Sequence, residues 1–220
     1  MDPHTVPVPI LSRDARFVVV AKPSGLAVHR GLAQDPTYVL QRVRDAVGRH
    51  VYPVHRLDRP TSGALLMALD RDAARILHDQ FDARTVAKRY LALVRGRAPD
   101  EGGVDSPLAR DSGAPVEALT RYRTLQRVRR ASWLEVIPLT GRKHQIRRHL
   151  RRIDHPVVGD VTLGDGSINR QFRQRCGLWR LALHASQLAF DHPETGARIQ
   201  VDCPLPPDLA GPLERLGIQG

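Results

Sequence analysis

His55-Arg56-Leu57-Asp58-Arg59-Pro60-Thr61-Ser62-Gly63 lies between two apolar runs, residues 51–54 before it and 64–69 after it. The flanking runs read as strands, the first short and the second central, because an apolar run bounded by turn residues suits a sheet buried on both faces. Pro60, Thr61, Ser62 and Gly63 suit a loop that displays a side chain at the end of a strand. Burying Asp58 beside such runs is costly unless the carboxylate is paired or hydrogen-bonded. Asp58 is therefore either a group on chemical display or a turn residue capping its own backbone, and spacing alone leaves both readings open.

Upstream, residues 1–12 read as a loose lead-in. Residues 17–21 read as a buried strand stopped by Lys22-Pro23-Ser24-Gly25. Residues 38–47 suit a helix, with Val39, Leu40, Val43 and Val47 on one face. Downstream, Asp70 caps a helix whose apolar stripe is Ala73, Ala74, Ile76, Leu77 and Phe81. A strand follows over 88–94, then a turn-rich surface excursion over 99–115. Two more strands are expected over 118–128 and 133–138, and a strongly basic helix over 141–152. Residues 159–178 are turn-rich, 183–190 and 198–201 form a hairpin, and 208–216 a short closing helix. Strands that alternate with turns, plus a few helices, predict an α+β fold with a largely antiparallel sheet in a single domain over 1–220.

Thirty-four Lys and Arg against 23 Asp and Glu leave a net charge of +11, which fits either a polyanionic partner or a solvated Arg-rich surface. Arg127, Arg129, Arg130, Arg148, Arg151 and Arg152 are the candidate phosphate contacts. Cys176 and Cys203 are the only cysteines and form no CxxC pair, so a zinc ribbon or a dithiol redox motif is not available. No stretch reaches the roughly 20 apolar residues of a membrane span, and no signal-like N-terminal segment is present, which leads to an expectation of a cytoplasmic protein. There is no GxxxxGK[ST] loop, GxGxxG fingerprint or GxSxG elbow, and His144 and His149 do not have HExxH spacing. Ser62 near His55 and Asp58 leaves a hydrolytic triad as a formal alternative.

Taken together with its neighbours, the central segment resembles the HRLDxxTSG motif of the RluA-type pseudouridine synthases, matching it at every fixed position. Lys22-Pro23-Ser24-Gly25 resembles the family's KPxG element and Lys88-Arg89-Tyr90 its KxY element. Gly141-Arg142-Lys143-His144-Gln145-Ile146-Arg147 resembles GRxHQIR, followed by His155-Pro156 and Gly159-Asp160. Leu183-His184-Ala185 with His192-Pro193 resembles the closing LHA…HP pattern, so the resemblance covers residues 16–205 in order.

The resemblance implies a pseudouridine synthase catalytic fold: a mixed, mostly antiparallel sheet with a central cleft and flanking helices. It implies isomerisation of an RNA uridine, in which uracil is detached at N1, rotated and rejoined through C5, with no metal or organic cofactor. By matching position, Asp58 is the nucleophilic carboxylate, Arg142 its salt-bridge partner, and Tyr90 the aromatic that stacks on the target uracil. Read without the motif, Arg142 is equally one phosphate contact in a basic helix and Tyr90 a packed strand residue. Leu183 and Ile146 are implied in packing around the base, Arg56 in filling the space the extruded base leaves, and His55 and Thr61 in shaping the loop.

Lys22-Pro23 comes early, so the small RNA-binding domain that many relatives carry before the catalytic one is not expected here. Arg59-Pro60, Val28-His29-Arg30, Lys143 with Arg148-His149-Leu150, and the segment 183–188 resemble the branch of the family that modifies the T-stem region of tRNA. The segment between Tyr90 and Gly141 is short for that branch, which keeps rRNA as an alternative substrate; an RNA-binding protein without catalysis, which would share the basic surface, is the other alternative. A monomer is expected.

Overall fold

The computed structural model describes residues 7–30, 36–109 and 113–219. The chain divides into two compact units: Met1–Lys88 with Ala185–Pro204, and Arg89–His184 with Leu205–Gly220.

In the first unit, β1 (Ile10–Arg13), β2 (Phe17–Lys22) and β4 (Ser62–Ala68) lie in order, each pair antiparallel, with β9 (Leu183–Asp191) next to β4. Two-residue β3 (Tyr52–Pro53) pairs with the end of β4, and β10 (Arg198–Asp202) pairs with β9. Every residue of β4 is buried, which is why its sequence runs apolar without alternation. Helices α1 (Val39–Val47) and α2 (Arg71–Asp82) belong to this unit, and Asp70 caps α2 by accepting the N–H of Ala73 at 2.9 Å. Phe17 meets Phe190 edge-on, ring centroids 5.0 Å apart, in a core shared with Leu66, Leu77, Leu188 and Val201.

The second unit has an antiparallel meander in the order β5 (Ala87–Arg95), β8 (Ala131–Pro138), β7 (Leu119–Val128) and β6 (Glu101–Asp105). Helices α3 (Gln145–Arg152), α4 (Gly166–Cys176) and α5 (Pro207–Arg215) accompany it. Trp133, Leu93, Leu134, Leu150 and Leu178 are buried in its core.

The secondary structure agrees with the sequence expectation for most elements and differs in four places. The lead-in ends in a strand: residues 1–6 lie outside the described residues, but Ile10 pairs with Val20 in β1. The excursion over 99–115 contains β6, and the bridge between Leu108 and Val116 closes its far end, with 110–112 outside the described residues. The basic helix begins at Gln145 instead of Gly141, because His144 takes a left-handed backbone (φ 54) and sets the start of α3. The turn-rich segment 159–178 contains α4, capped at its start by Asp165 and at its end by left-handed Gly177. No helix is long and apolar enough to cross a membrane, among the described residues.

Candidate active site

The segment that carries Asp58 is a loop between β3 and β4, gripped from both ends. At its far end the Asp58 carbonyl accepts the N–H of Thr61 at 3.0 Å, closing a turn across Arg59 and Pro60. Against this turn lies Lys22-Pro23-Ser24-Gly25. The Lys22 ammonium is buried and donates to three carbonyls: Leu26 at 2.6 Å, Pro23 at 2.9 Å and Arg59 at 3.0 Å. Gly25 and Arg59 exchange two more bonds, N–H to Arg59 carbonyl at 2.9 Å and Arg59 Nε to Gly25 carbonyl at 2.9 Å. Ser24 Oγ donates to the Pro60 carbonyl at 2.7 Å. A buried ammonium needs several carbonyl oxygens to replace its water, and here those oxygens belong to both segments.

At its near end the loop is tied to β4 by His55. Its Nε2 accepts the Leu66 N–H at 2.9 Å, and its ring stacks on Phe81 at 4.7 Å. Desolvation, with the nearby positive charges of Lys88 and His78, pushes the imidazole pKa down to about 3, so the ring is neutral and remains an acceptor. Gly63 (φ 128) takes a conformation that disfavours a side chain, and a Cβ there would lie 2.6 Å from Ala185 Cα on β9. Between these anchors Asp58 is half-buried, Arg56 exposed and Leu57 buried. Thr61 is buried, and its Oγ1 has no hydrogen-bond partner.

The second unit carries the other expected residues. Tyr90 on β5 stands opposite Val136 of β8 and packs against the core that buries Ile146 of α3 and Leu183 of β9. Arg142 precedes α3; its Nε donates to the Glu117 carbonyl at 3.0 Å and its N–H to Gln145 Oε1 at 2.9 Å. Gln145 is buried and ties the loop together: Oε1 also accepts from Thr140 Oγ1 at 2.6 Å, while Nε2 donates to the Leu119 carbonyl and to Thr120 Oγ1, each at 3.0 Å. The chain of bonds continues from Thr120 Oγ1 to His149 Nδ1 (2.9 Å) and from His149 Nε2 to the Ser106 carbonyl (3.0 Å). That assignment requires His149 to be neutral with its proton on Nε2, in keeping with burial lowering its pKa.

The basic segment around α3 has two faces with different uses. Arg147 points inward and forks onto Asp160, Nε to Oδ2 at 2.7 Å and Nη2 to Oδ1 at 2.8 Å, and Nη2 also donates to Thr162 Oγ1 at 2.5 Å. Burial alone would raise the Asp160 pKa, but the Arg147 guanidinium and the N–H groups of Leu163 and Thr162 outweigh it and hold the carboxyl at about 2. Arg151 and Arg152 are exposed, and half-buried Arg148 donates to the Ala109 carbonyl at 3.0 Å. Arg127 is engaged by Asp100 at 2.6 Å and by the Ala98 carbonyl at 2.9 Å. Among the described residues no three His, Cys, Asp or Glu side chains cluster so as to hold a metal ion.

The sequence alone did not single out Lys22, Gln145, Thr120, Thr140 or Asp160 as organisers. Lys22, Gln145 and Asp160 lie within the family's motif elements, which is the signal the sequence offers for them. The hydroxyl partners of Gln145 come from other elements and left no local trace.

A family model described as RNA pseudouridylate synthase matches residues 16–152, a span with residues of both units. The chain belongs to that family. Relatives in the RNA pseudouridylate synthase family include the tRNA pseudouridine synthase C of Pasteurella multocida, 43% identical over 216 residues, covering 87% of this chain and 89% of the relative. The protein of the same name from Yersinia pestis is 40% identical over 235 residues, covering 96% and 91%. Among solved structures, human RNA pseudouridylate synthase domain containing 4 is similar with a TM-score of 0.80 at 28% identity, covering 96% of this chain and 94% of that one. The α+β pseudouridine synthase fold and the isomerase activity expected from the motifs are those of the family, and the substrate is RNA.

Proposed function

We propose that this pseudouridine synthase acts on tRNA, at a uridine of the T-stem region, in the cytoplasm. The observation that carries the substrate is the identity of about 40% to synthases named for tRNA, sustained over nearly the whole chain. The net charge of +11 supports it, since phosphate contacts release counterions and dominate affinity for RNA. Residues of both units serve one catalytic domain, as the span of the family match suggests.

In this reading Asp58 is the nucleophilic carboxylate and Arg142 supplies the positive charge that keeps it ionised. Tyr90 stacks on the target uracil, with Leu183 and Ile146 forming apolar surface for the base. A uridine in a stacked stem is reached only by flipping it out, and Arg56 fills the space it leaves. His55 and Thr61 hold the Asp58 loop in shape, while Arg148, Arg151 and Arg152 meet phosphates. Breaking the N1 bond and re-forming the link at C5 displaces the C5 hydrogen to solvent, so turnover is read by tritium release from RNA carrying 5-tritiated uridine. Release from an unmodified tRNA transcript, with the site mapped to the T-stem region, is the expected result. Release from ribosomal RNA fragments and none from tRNA would overturn the tRNA assignment while leaving the isomerase intact.

A further inference from the structure

The two tryptophans of the chain have opposite environments. Trp133 is 2% exposed in the core of the second unit, whereas Trp179 is 74% exposed. A residue that contributes so much when buried is here left in water. The position is not a consequence of a loose loop. Cys176 and Leu178, which precede it, are each 1% exposed, and left-handed Gly177 between them closes α4 with a 2.9 Å bond to the Arg173 carbonyl. On the other side Arg180 is held by Asp208 at 3.0 Å and by the Leu181 carbonyl at 3.0 Å. The indole is thus fixed outward by anchored neighbours.

Its surroundings are cationic. The Arg173 guanidinium lies over the ring, 5.4 Å from the centroid. Arg170 and Arg175 on the same helix are exposed, and none of these three arginines is ion-paired among the described residues. An open aromatic face backed by a guanidinium, next to a helix that carries two more exposed arginines, suits a nucleobase and its phosphates better than an apolar protein surface.

We propose that Trp179, backed by Arg173, is a stacking platform for a nucleobase of the RNA substrate loosened near the target uridine. The inference rests on the tRNA synthase reading above and adds a second base contact to it. Trp179 is four residues from Leu183, so their Cα atoms are at most about 14 Å apart. Flipping the uridine, whose place Arg56 takes, opens the stack around it, and a fixed indole outside that gap offers a loosened base an aromatic face. Stacking of this kind tolerates any base, so Trp179 contributes affinity and strand path more than sequence choice.

The test is an equilibrium titration of the full chain with an unmodified tRNA transcript, followed by tryptophan fluorescence and by filter binding, alongside tritium release. RNA should quench the wild-type emission, and Trp179→Phe should abolish the quench, because buried Trp133 is the remaining reporter. That variant should keep its Kd within about threefold, while Trp179→Ala should weaken binding roughly five- to hundredfold. Both should retain the wild-type Tm, as expected for a surface change. Wild-type Kd and turnover in Trp179→Ala would overturn the platform and leave the synthase reading standing. Self-association of the wild type that is lost in Trp179→Ala would make this face a contact between copies of the chain and would also overturn it. Failure of the wild type to bind or convert any RNA would remove the reading on which the platform rests, and the platform with it.

Discussion

The imidazole of His55 accepts the backbone N–H of Leu66 at 2.9 Å, so a side chain of the Asp58 segment completes the hydrogen bonding of the central strand β4. The motif histidine is an anchor, held neutral by burial and by its neighbouring positive charges. Its folded pKa of about 3 is below the ordinary 6.5, so the unfolded chain binds a proton here that the folded one does not. The stability it confers is complete above the unfolded value and lost as pH falls from 6.5 towards 3, at up to about 1.4 kcal/mol per pH unit. Urea unfolding of the wild type and His55→Gln between pH 7 and 4 should therefore converge as pH falls. A constant gap would mean that His55 does not titrate with folding.

Gly63 is a point where two strands need the absence of a side chain. Gly63→Ala places a Cβ 2.6 Å from Ala185 Cα at φ 128, and should cost more than about 3 kcal/mol and most of the activity. Gly196→Ala is the control: it also has positive φ (70) but meets nothing within 4 Å, and should cost about 1 kcal/mol. Equal Tm losses in the two variants would contradict the close-approach account.

The buried fork between Arg147 and Asp160 should behave as a unit. Asp160→Asn strands a guanidinium in the core and should destabilise by roughly 3–5 kcal/mol. Adding Arg147→Met to it should restore part of that loss, read as a positive coupling in chemical denaturation. The depressed carboxyl contributes fully above its ordinary pKa of 3.8, and the contribution is lost as pH falls towards about 2. A double variant less stable than Asp160→Asn alone would exclude the stranded charge as the cause.

Much of this was legible before the structure. The apolar runs around the Asp58 loop became β3 and β4, and Asp70 caps α2 as its position suggested. The elements that were missed have weak local patterns. In α4, Arg and Gln dominate, and few apolar residues mark a buried face, although Asp165 and Gly177 were readable as caps. In β6, glycines replace the β-branched residues that signal a strand, and a Cβ at Gly102 would lie 2.5 Å from Tyr122 Oη. The inward turn of Arg147 was hidden for another reason: in a basic run, the arginine that faces Asp160 looks like those that face water.

Arg151 and Arg142 should separate in RNA binding. Arg151→Ala should weaken tRNA affinity moderately and lower the magnitude of the log Kd against log salt slope by about one. Arg142→Ala should lose turnover far more than affinity if, as proposed, its charge serves the reacting carboxylate. Filter binding across a salt series, paired with single-turnover tritium release, distinguishes the two. Equal effects on binding and turnover in both variants would place Arg142 among the phosphate contacts.

The proposed chemistry depends most on Asp58. Single-turnover tritium release from a 5-tritiated tRNA transcript, measured for the wild type and Asp58→Asn with tRNA binding measured in parallel, tests it most directly. The expected result is a loss of turnover of more than about a thousandfold, with affinity retained within a few-fold. Substantial turnover by Asp58→Asn would contradict the assignment of Asp58 as the nucleophilic carboxylate.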